Sequence, residues 1–409
     1  MAFWIVAIQL GVLALSLVAS HYLAPKATDE AAKAAGLGDF NFPRATQGDV
    51  IPLAWGTVRI RSPLLVWFGD VESTPIVVDG GALGDDATIG YRYYVSMRFI
   101  LCRGNTPVSE TGQFAGASFR ALYIGDKPIH LGVLGDFGSG FVGQVYDDDS
   151  PGVPGNDQFQ GYHYFYRGRW DQTLATPVGA VGNPADLGSV PEEDTTITPR
   201  YRGQVMASVR QWYCGETPTI APLSWLIHNP ITIPGYEDET APIGEGDANP
   251  AAVLYDILTN PWGGIGSPTS AIDTAGFAAV AQTLQDEEHG ISLVVSRAVD
   301  ARQVIEEVLR QIDGVLYEDP ETRQYTLALI REDYTLGSLF VVDESNADKD
   351  TVELSSTLWA ETVNEVRVIW TDPGRLWADG ASTAQDLAHI NAQGGRRRSA
   401  EYRFPGISN

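Results

Sequence analysis

The sequence predicts a β-rich α+β fold, and three observations predict it. The chain of 409 residues holds 43 Gly and 24 Pro, which suits many short strands and turns with some helix. From Asp49 to Pro230 the apolar residues alternate or run in blocks of strand length. Beyond a Pro/Gly/Glu-rich connector at 231–246 the apolar period becomes helical. A chain this long supports two or three domains and a sizeable core. The expected division is an apolar N-terminal helix at 1–23, a linker at 24–48, a β-rich region at 49–230 and the connector at 231–246. An α/β unit at 247–342 follows, then a β-rich segment at 343–409 that continues or is truncated.

Met1–Ala19 is apolar except for Gln9 and Ser16, about the length that crosses a hydrocarbon layer. A secretory signal normally carries positive charge at its start, and none precedes Phe3, although Val18-Ala19-Ser20 is a tolerable cleavage site. A membrane anchor fits the length with only Lys26 as a nearby positive flank. The third reading is a helix buried against copies of itself in an oligomer. Taken alone, the segment favours a membrane role.

From Asp49 the strand-like runs are VIPLAWGTVRI, PLLVWFGDVE, YRYYVSMRFILCRG, FRALYIGDKPI, FVGQVY and YHYFYR, followed by YRGQVMASVRQWYCG and LSWLIHNP. Gly125-Asp126 is a turn signal. Asp147–Asp157 and Pro177–Pro199, rich in Gly, Pro and acidic residues, read as exposed loops.

Helices dominate after the connector. Asn249 suits an N-cap and Pro250 the first helical position, and Ala252, Leu254, Tyr255 and Leu258 form a stripe. Asn260-Pro261 and Gly263-Gly264 end that helix in a turn. A second helix runs from near Asp273 to about Glu288, with Phe277, Val280, Ala281 and Leu284 on one face and Gly290 past its end. ISLVVS is a strand. Asp300 caps a third helix with the stripe Val304, Ile305, Val308, Leu309 and Ile312, stopped by Gly314. VLYED-PETRQ-YTLALIRE is a hairpin, and VNEVRVIWTDP is a later strand.

A net charge of −25 argues against non-specific binding to nucleic acid or anionic membranes. Solubility explains it most simply; an acidic surface that keeps DNA from sticking to a conduit is the functional alternative. The basic run Arg396-Arg397-Arg398 reads as a solvated turn. Cys102 and Cys214, the two cysteines, lie in apolar runs and read as small buried hydrophobes, with no zinc pattern.

No residue set carries a catalytic, cofactor or metal expectation. Glu287, Glu288 and His289 read as a charged last helical turn. Ser139 in GSGFVG lacks the nucleophile-elbow pattern, and GDFGSGFVG lacks the Lys-Ser/Thr of a phosphate loop. Asp147, Asp148, Asp149 and Asp157 lack the spacing of a calcium loop. His163 among Tyr162, Tyr164 and Tyr166 reads as a core or interface face. The tryptophans Trp67, Trp212, Trp225, Trp262, Trp359 and Trp370 are mostly core, with aromatics also enriched where protein surfaces meet.

LYDILTNP-x-x-G-x-G within Asn249–Ser267 resembles the central tail-hub, or tail-tip, proteins of long-tailed bacteriophages. So do Gly56–Asp70 (GTVRIRSPLLVWFGD), the blocks Phe99–Gly104 and Leu122–Gly125, a helix like Arg302–Asp313 leading into a hairpin, and Asn364–Pro373 (NEVRVIWTDP). These pieces stand in the family's order from Gly56 to Pro373. Phe404-Pro405-Gly406 resembles a motif past which the family continues. The apolar start is a departure from the family, and three copies of it suggest a luminal plug or a segment inserted into the host membrane at ejection.

The resemblance implies several small β-barrel or β-sandwich hub domains plus an α/β domain. It implies a homotrimer at the distal end of the tail tube that contacts distal tail and tube proteins and the tape-measure protein, and anchors a tail fibre or receptor-binding protein. Host membrane contact through residues 1–20 is part of that expectation; specific nucleic-acid binding and cofactors are not. The expected assembly contacts are Trp67, Asp70, Pro261, Trp262, Gly264, Gly266 and Trp370. The rival readings are a membrane-tethered or secreted β-rich cell-wall hydrolase and an envelope binding module.

Overall fold

The computed structural model describes residues 49–78, 87–104, 116–131, 141–142, 162–168, 201–236, 243–244, 246–332, 334–343, 345–347, 358, 362–372, 378–404 and 406–407. The N-terminal apolar helix, the 24–48 linker, Ser139, the acidic loop Asp147–Asp157, the Pro177–Pro199 loop and Trp359 lie outside these residues.

Among the described residues nine strands build the first half: β1 (Leu53–Ile60), β2 (Leu64–Val78), β3 (Ala87–Arg103), β4 (Ser118–Ile124), β5 (Lys127–Leu131), β6 (Phe141–Val142), β7 (Tyr162–Arg167), β8 (Gln204–Gly215) and β9 (Leu223–Asn229). They form two antiparallel sheets. One has the order β2-β3-β8-β7-β6. The other has the order β10-β1-β9-β4-β5, its first member being β10 (Leu293–Val295) from far downstream. Alternation sorts the side chains. Ala54, Val58 and Ile60 of β1, Val95, Met97, Phe99 and Leu101 of β3, Val205, Ala207 and Val209 of β8, and Trp225 and Ile227 of β9 share one core between the sheets. The sandwich alternative of the sequence reading is what forms. The barrel alternative is corrected: among the described residues no barrel closes, because the two sheets stack face to face and are not joined edge to edge.

Both faces of β7 are buried. His163 and Phe165 face the inter-sheet core, where Phe119 lies 5.0 Å from the His163 ring and 5.8 Å from Phe165. Tyr164 and Tyr166 pack outward with Ile100 and Met206. Trp225 Nε1 donates to His163 Nε2 at 2.9 Å. Since an indole N–H only donates, His163 Nε2 carries a lone pair there. This aromatic strand is core. Beyond Tyr93, β2 and β3 continue as a two-stranded ribbon that pairs Thr74–Val78 with Ala87–Arg92.

The α/β unit follows from its caps. α1 (Pro250–Thr259) starts where the Asn249 side chain accepts from the Ala251 N–H, and Pro250 occupies the first turn, which needs no N–H. α1 is buried on nearly every side, not along a single stripe, because it lies between Trp55 of β1 and the two later helices. α2 (Thr274–Asp286) is capped by Asp273, which accepts from Gly276 N–H, and buries Phe277, Ala281 and Leu284. α3 (Ala301–Ile312) is capped by Asp300 and buries Ile305, Val308 and Ile312.

Two expected glycine stops are corrected. The left-handed residues are Glu288 (φ 55°) and Asp313 (φ 48°), not Gly290 and Gly314. Those glycines answer to packing: a Cβ on Gly290 would sit 2.4 Å from Asp247 Cβ, and one on Gly314 would sit 2.9 Å from Ile312 Cγ1. β11 (Gly314–Glu318) and β12 (Tyr325–Leu329) form the expected antiparallel hairpin.

Residues 334–343 then carry the chain to a three-stranded sheet with order β14-β13-β15. Its members are β13 (Glu365–Asp372), β14 (Ala378–Gln385) and β15 (Ser399–Phe404), the last parallel to β13 after the short α4 (Leu387–Ala392). Asn364 fastens the turn before β15, donating to Arg396 O at 2.9 Å and accepting from Arg398 N–H at 2.8 Å. The basic run is thus exposed but anchored through its backbone. Arg310 of α3 reaches this sheet, donating to Arg403 O at 2.6 Å and lying 4.6 Å from the Phe404 ring centre.

Candidate functional site

The site grows from the C-terminal end of α1. A helix leaves its last carbonyls without intrahelical partners, and here the chain doubles back to fill them. Gly264 N–H donates to Asn260 O at 3.0 Å, Ile265 N–H to Ile257 O at 2.8 Å, and Ser267 N–H to Leu258 O at 2.8 Å. The Asn260 side chain accepts from the N–H groups of Trp262 and Gly263 at 2.9 and 3.2 Å. Gly264 is required by close approach, because a Cβ there would lie 2.1 Å from Ile257 O. This tightly bonded turn holds Trp262 outward, 79% exposed, with Ile265 exposed beside it.

Trp262 stands between two cavities. One, of about 340 Å³, is lined by Ile51, Leu53, Arg103, Arg202, Gly203, Gln204 and Trp262. The other, of about 350 Å³, runs past Trp262 along Val50, Leu53, Trp55, Ile257 and Val304 to Arg297. The two share Ile51, Leu53 and Trp262 and make one mainly apolar groove between sandwich and α/β unit, with Arg103 and Arg202 in the lining of the first cavity and Arg297 in that of the second.

Beneath the groove lies Asp256, the single charge of α1. Its carboxylate accepts from Trp55 Nε1 at 2.9 Å and from Asn260 Nδ2 at 3.3 Å, and stands 3.9 Å from Arg103 Nη1. Burial raises the Asp256 carboxyl above its ordinary range, opposed first by the charge of Arg103. Burial lowers the Arg103 guanidinium, opposed by Asp256. At 3.9 Å the two are an ion pair without a hydrogen bond, and Arg103 Nη1 is buried with no hydrogen-bond partner.

Of the residues expected as contacts, the structure gathers Pro261, Trp262, Gly264 and Gly266 in this one turn. Trp67 and Asp70 lie elsewhere, on β2. Trp67 is half-buried against the Tyr164–Tyr166 face, and Asp70 (φ 47°) sits where the β2–β3 register shifts, near the base of the ribbon. Trp370 of β13 is half-buried in the C-terminal sheet, opposite Gly380. Sequence reasoning missed Arg103, Arg202, Leu53 and Asp256. A lone aspartate inside the apolar run VLYDIL was the available signal for the last.

A second polar cluster joins the segments at the seam. Thr57 Oγ1 donates to Gly246 O at 2.8 Å, His228 Nδ1 is 3.0 Å from the same carbonyl, and Ser292 Oγ donates to Asp247 Oδ1 at 2.5 Å. Thr57 Oγ1 and His228 Nδ1 lie 3.2 Å apart and both turn to the Gly246 carbonyl, while Ser292 turns to Asp247, so the cluster clasps the connector to β1 and β9. Gly56 (φ 75°) makes room for it, since a Cβ would meet Ser292 Oγ at 2.4 Å. Burial, followed by Arg120, lowers the His228 pKa.

Glu287 ends α2 in a two-point pair with Arg331 at 2.8 Å, which lowers its pKa. Cys102 is buried, Cys214 is half-buried, and both are free thiols. Burial raises both thiols, that of Cys214 to about 12. Among the described residues no group of three or more His, Cys, Asp or Glu is arranged to hold a metal ion.

Residues 300–409 match the model of a family described as a putative phage tail protein. They span α3, the β11–β12 hairpin and the C-terminal sheet. The match supports a structural protein of a phage tail, carried in the virion among other tail proteins. The chain is also similar to a chain of the solved virion of a native gene transfer agent particle, at 13% identity and a TM-score of 0.49 over 92% of this chain and 74% of that one. No curated protein matches the chain.

Proposed function

We propose that this chain is the hub of a phage tail tip: a structural protein, homotrimeric, that caps the distal end of the tail tube. In this reading it meets distal tail and tube proteins and the end of the tape-measure protein, and anchors a tail fibre or receptor-binding protein for host attachment and DNA ejection. The match of residues 300–409 to the phage tail family carries the reading. The ordered landmarks from Gly56 to Pro373 extend it along the chain.

The surface features fit a role in assembly. An exposed tryptophan held on a hydrogen-bonded turn, beside an apolar groove, is the kind of rigid aromatic anchor on which interfaces concentrate binding energy. Trp262 is the central contact in this proposal, presented by Pro261, Gly264 and Gly266; Trp67, Asp70 and Trp370 are secondary contacts. A net charge of −25 suits a conduit wall past which DNA must slide without binding. Residues 1–20 are proposed as a luminal plug or as a segment delivered to the host membrane.

The test is position. An antibody or epitope tag on this chain, viewed by electron microscopy on intact virions, should mark the tail end distal to the head, with threefold density. Labelling on the head, along the tube, or nowhere on the particle sinks the hub reading.

A further inference from the structure

We propose that the groove beside Trp262 receives residues 336–343 of a second copy of this chain, each subunit inserting its segment into its neighbour. The proposal deepens the hub reading and rests on it, by naming the contact that joins the subunits.

Two complementary features stand open on the same molecule. The first is the groove. Its lining is apolar at Ile51, Leu53 and Trp262 and carries the two arginines Arg103 and Arg202. Arg103 Nη1 is buried without a hydrogen-bond partner, with its nearest carboxylate 3.9 Å away. Arg202 is exposed and pairs with no described acidic residue. With Arg103 already facing Asp256, the exposed Arg202 is the guanidinium open to a carboxylate next to apolar side chains.

The second feature is the link between β12 and the C-terminal sheet. A short 3-10 turn at Leu336–Ser338 is followed by a run whose large apolar side chains face solvent. Leu336 is 80% exposed, Phe340 79% and Val341 69%. Soluble monomers rarely leave so many adjacent apolar residues uncovered. The run ends at Asp343, whose Oδ1 accepts from the N–H and hydroxyl of Ser345 at 2.8 and 2.5 Å. The Asn346 N–H also faces this carboxylate, which stands at the exposed end of the run.

Apolar run plus carboxylate therefore matches apolar groove plus guanidinium in composition and in sign. The charge argument favours a second copy, because one chain supplies both the arginine-lined groove and the acid-tipped apolar run. Groove and segment are different patches, so the contact is head-to-tail. Copies joined in this way use every groove and every segment only when they close into a ring.

The purified full-length chain is weighed by light scattering and native mass spectrometry over a concentration series. Phe340→Asp and Arg202→Glu both alter exposed side chains, so their circular dichroism and melting should match the parent. Each should raise the association Kd by roughly tenfold or more. Arg202→Glu combined with Asp343→Lys in one chain should recover most of the loss. Mixing Phe340→Asp chains with Arg202→Glu chains should give heterodimers and no rings, because each pair retains one intact groove and one intact segment.

A parent that stays monomeric at tens of micromolar, or single variants that associate as the parent does, overturns the proposal. The hub reading fails separately, by the absence of label at the tail tip, so a tip-located chain whose variants still associate would retain the hub and lose this contact.

Discussion

The turn that presents Trp262 is the place to test whether packing has been read correctly. Consider Gly264→Ala. The added methyl carbon would stand 2.1 Å from Ile257 O, 2.9 Å from Ile257 C and 3.0 Å from Asn260 O. All three are backbone atoms of the α1 end and cannot swing aside. The turn must lift, and the three returning hydrogen bonds from Gly264, Ile265 and Ser267 go with it. At about 1 kcal/mol net for each bond, the loss is about 2–4 kcal/mol. Gly263→Ala supplies the control. Its methyl would press on Leu53 Cδ2 at 2.8 Å, the far end of a side chain that can change rotamer. That substitution should cost about 1 kcal/mol or less.

The assay is thermal unfolding of the two variants beside the parent, followed by near-ultraviolet circular dichroism. At about 2–4 °C per kcal/mol for a unit of this size, Gly264→Ala should melt roughly 5–15 °C lower and Gly263→Ala within a few degrees of the parent. If the two variants melt together, the close approach of the turn to α1 is wrong, and with it the account of why Trp262 faces outward.

Two further outcomes follow from buried groups. Trp55→Phe removes the 2.9 Å indole donor from Asp256 and should destabilise by about 1–3 kcal/mol in urea unfolding; a change of a few tenths would mean that the buried carboxylate does not depend on it. Burial lowers the pKa of His228 and of His289 from 6.5, so the unfolded chain binds protons first as the pH falls. Stability from these residues is therefore full above about pH 6.5 and declines below it. Asp256, whose carboxyl is raised, has the opposite sign, and its contribution is lost as the pH rises from 3.8. The difference in melting temperature between the parent and His228→Gln, followed from pH 7.5 to 5, isolates the histidine term. The gap should narrow on the acid side, and a constant gap would refute the assignment.

The parts of the fold legible in the sequence are those coded within a turn of helix or a hairpin. Asn249, Asp273 and Asp300 each accept a backbone N–H two or three residues on, which is the geometry their side chains favour and which any sequence reader can see. The hairpin from Gly314 to Leu329 shows for the same reason. The glycine stops misled because the left-handed turn falls on the residue before or two before each glycine. Gly290 is demanded by Asp247 and Ile243 far back along the chain, while Gly314 makes room for the side chains of Ile312 and Leu309 at the end of its own helix. β14 and β15 were missed because ADGASTAQ and SAEYRF are too polar to alternate; their strands exist through pairing with β13. Trp262 and its turn were visible, whereas the groove was not. Leu53, Arg103 and Arg202 reach it from separate parts of the sandwich, and only the sheet order brings them together.

The pairing of β10 with β1 has a consequence for how the chain is made. Leu53, Ala54 and Trp55 emerge early from the ribosome, yet their partners Val295, Val294 and Leu293 come some 240 residues later. Throughout that interval β1 is an uncovered sheet edge, able to pair with any extended strand it meets, including one from another nascent copy. The sandwich can condense around Trp225 once β9 has been synthesised, but its last edge closes only when α1 and α2 are already folding. Synthesis rate across residues 230–295 should therefore govern the yield of soluble protein more strongly than it would for a sandwich whose strands are all consecutive.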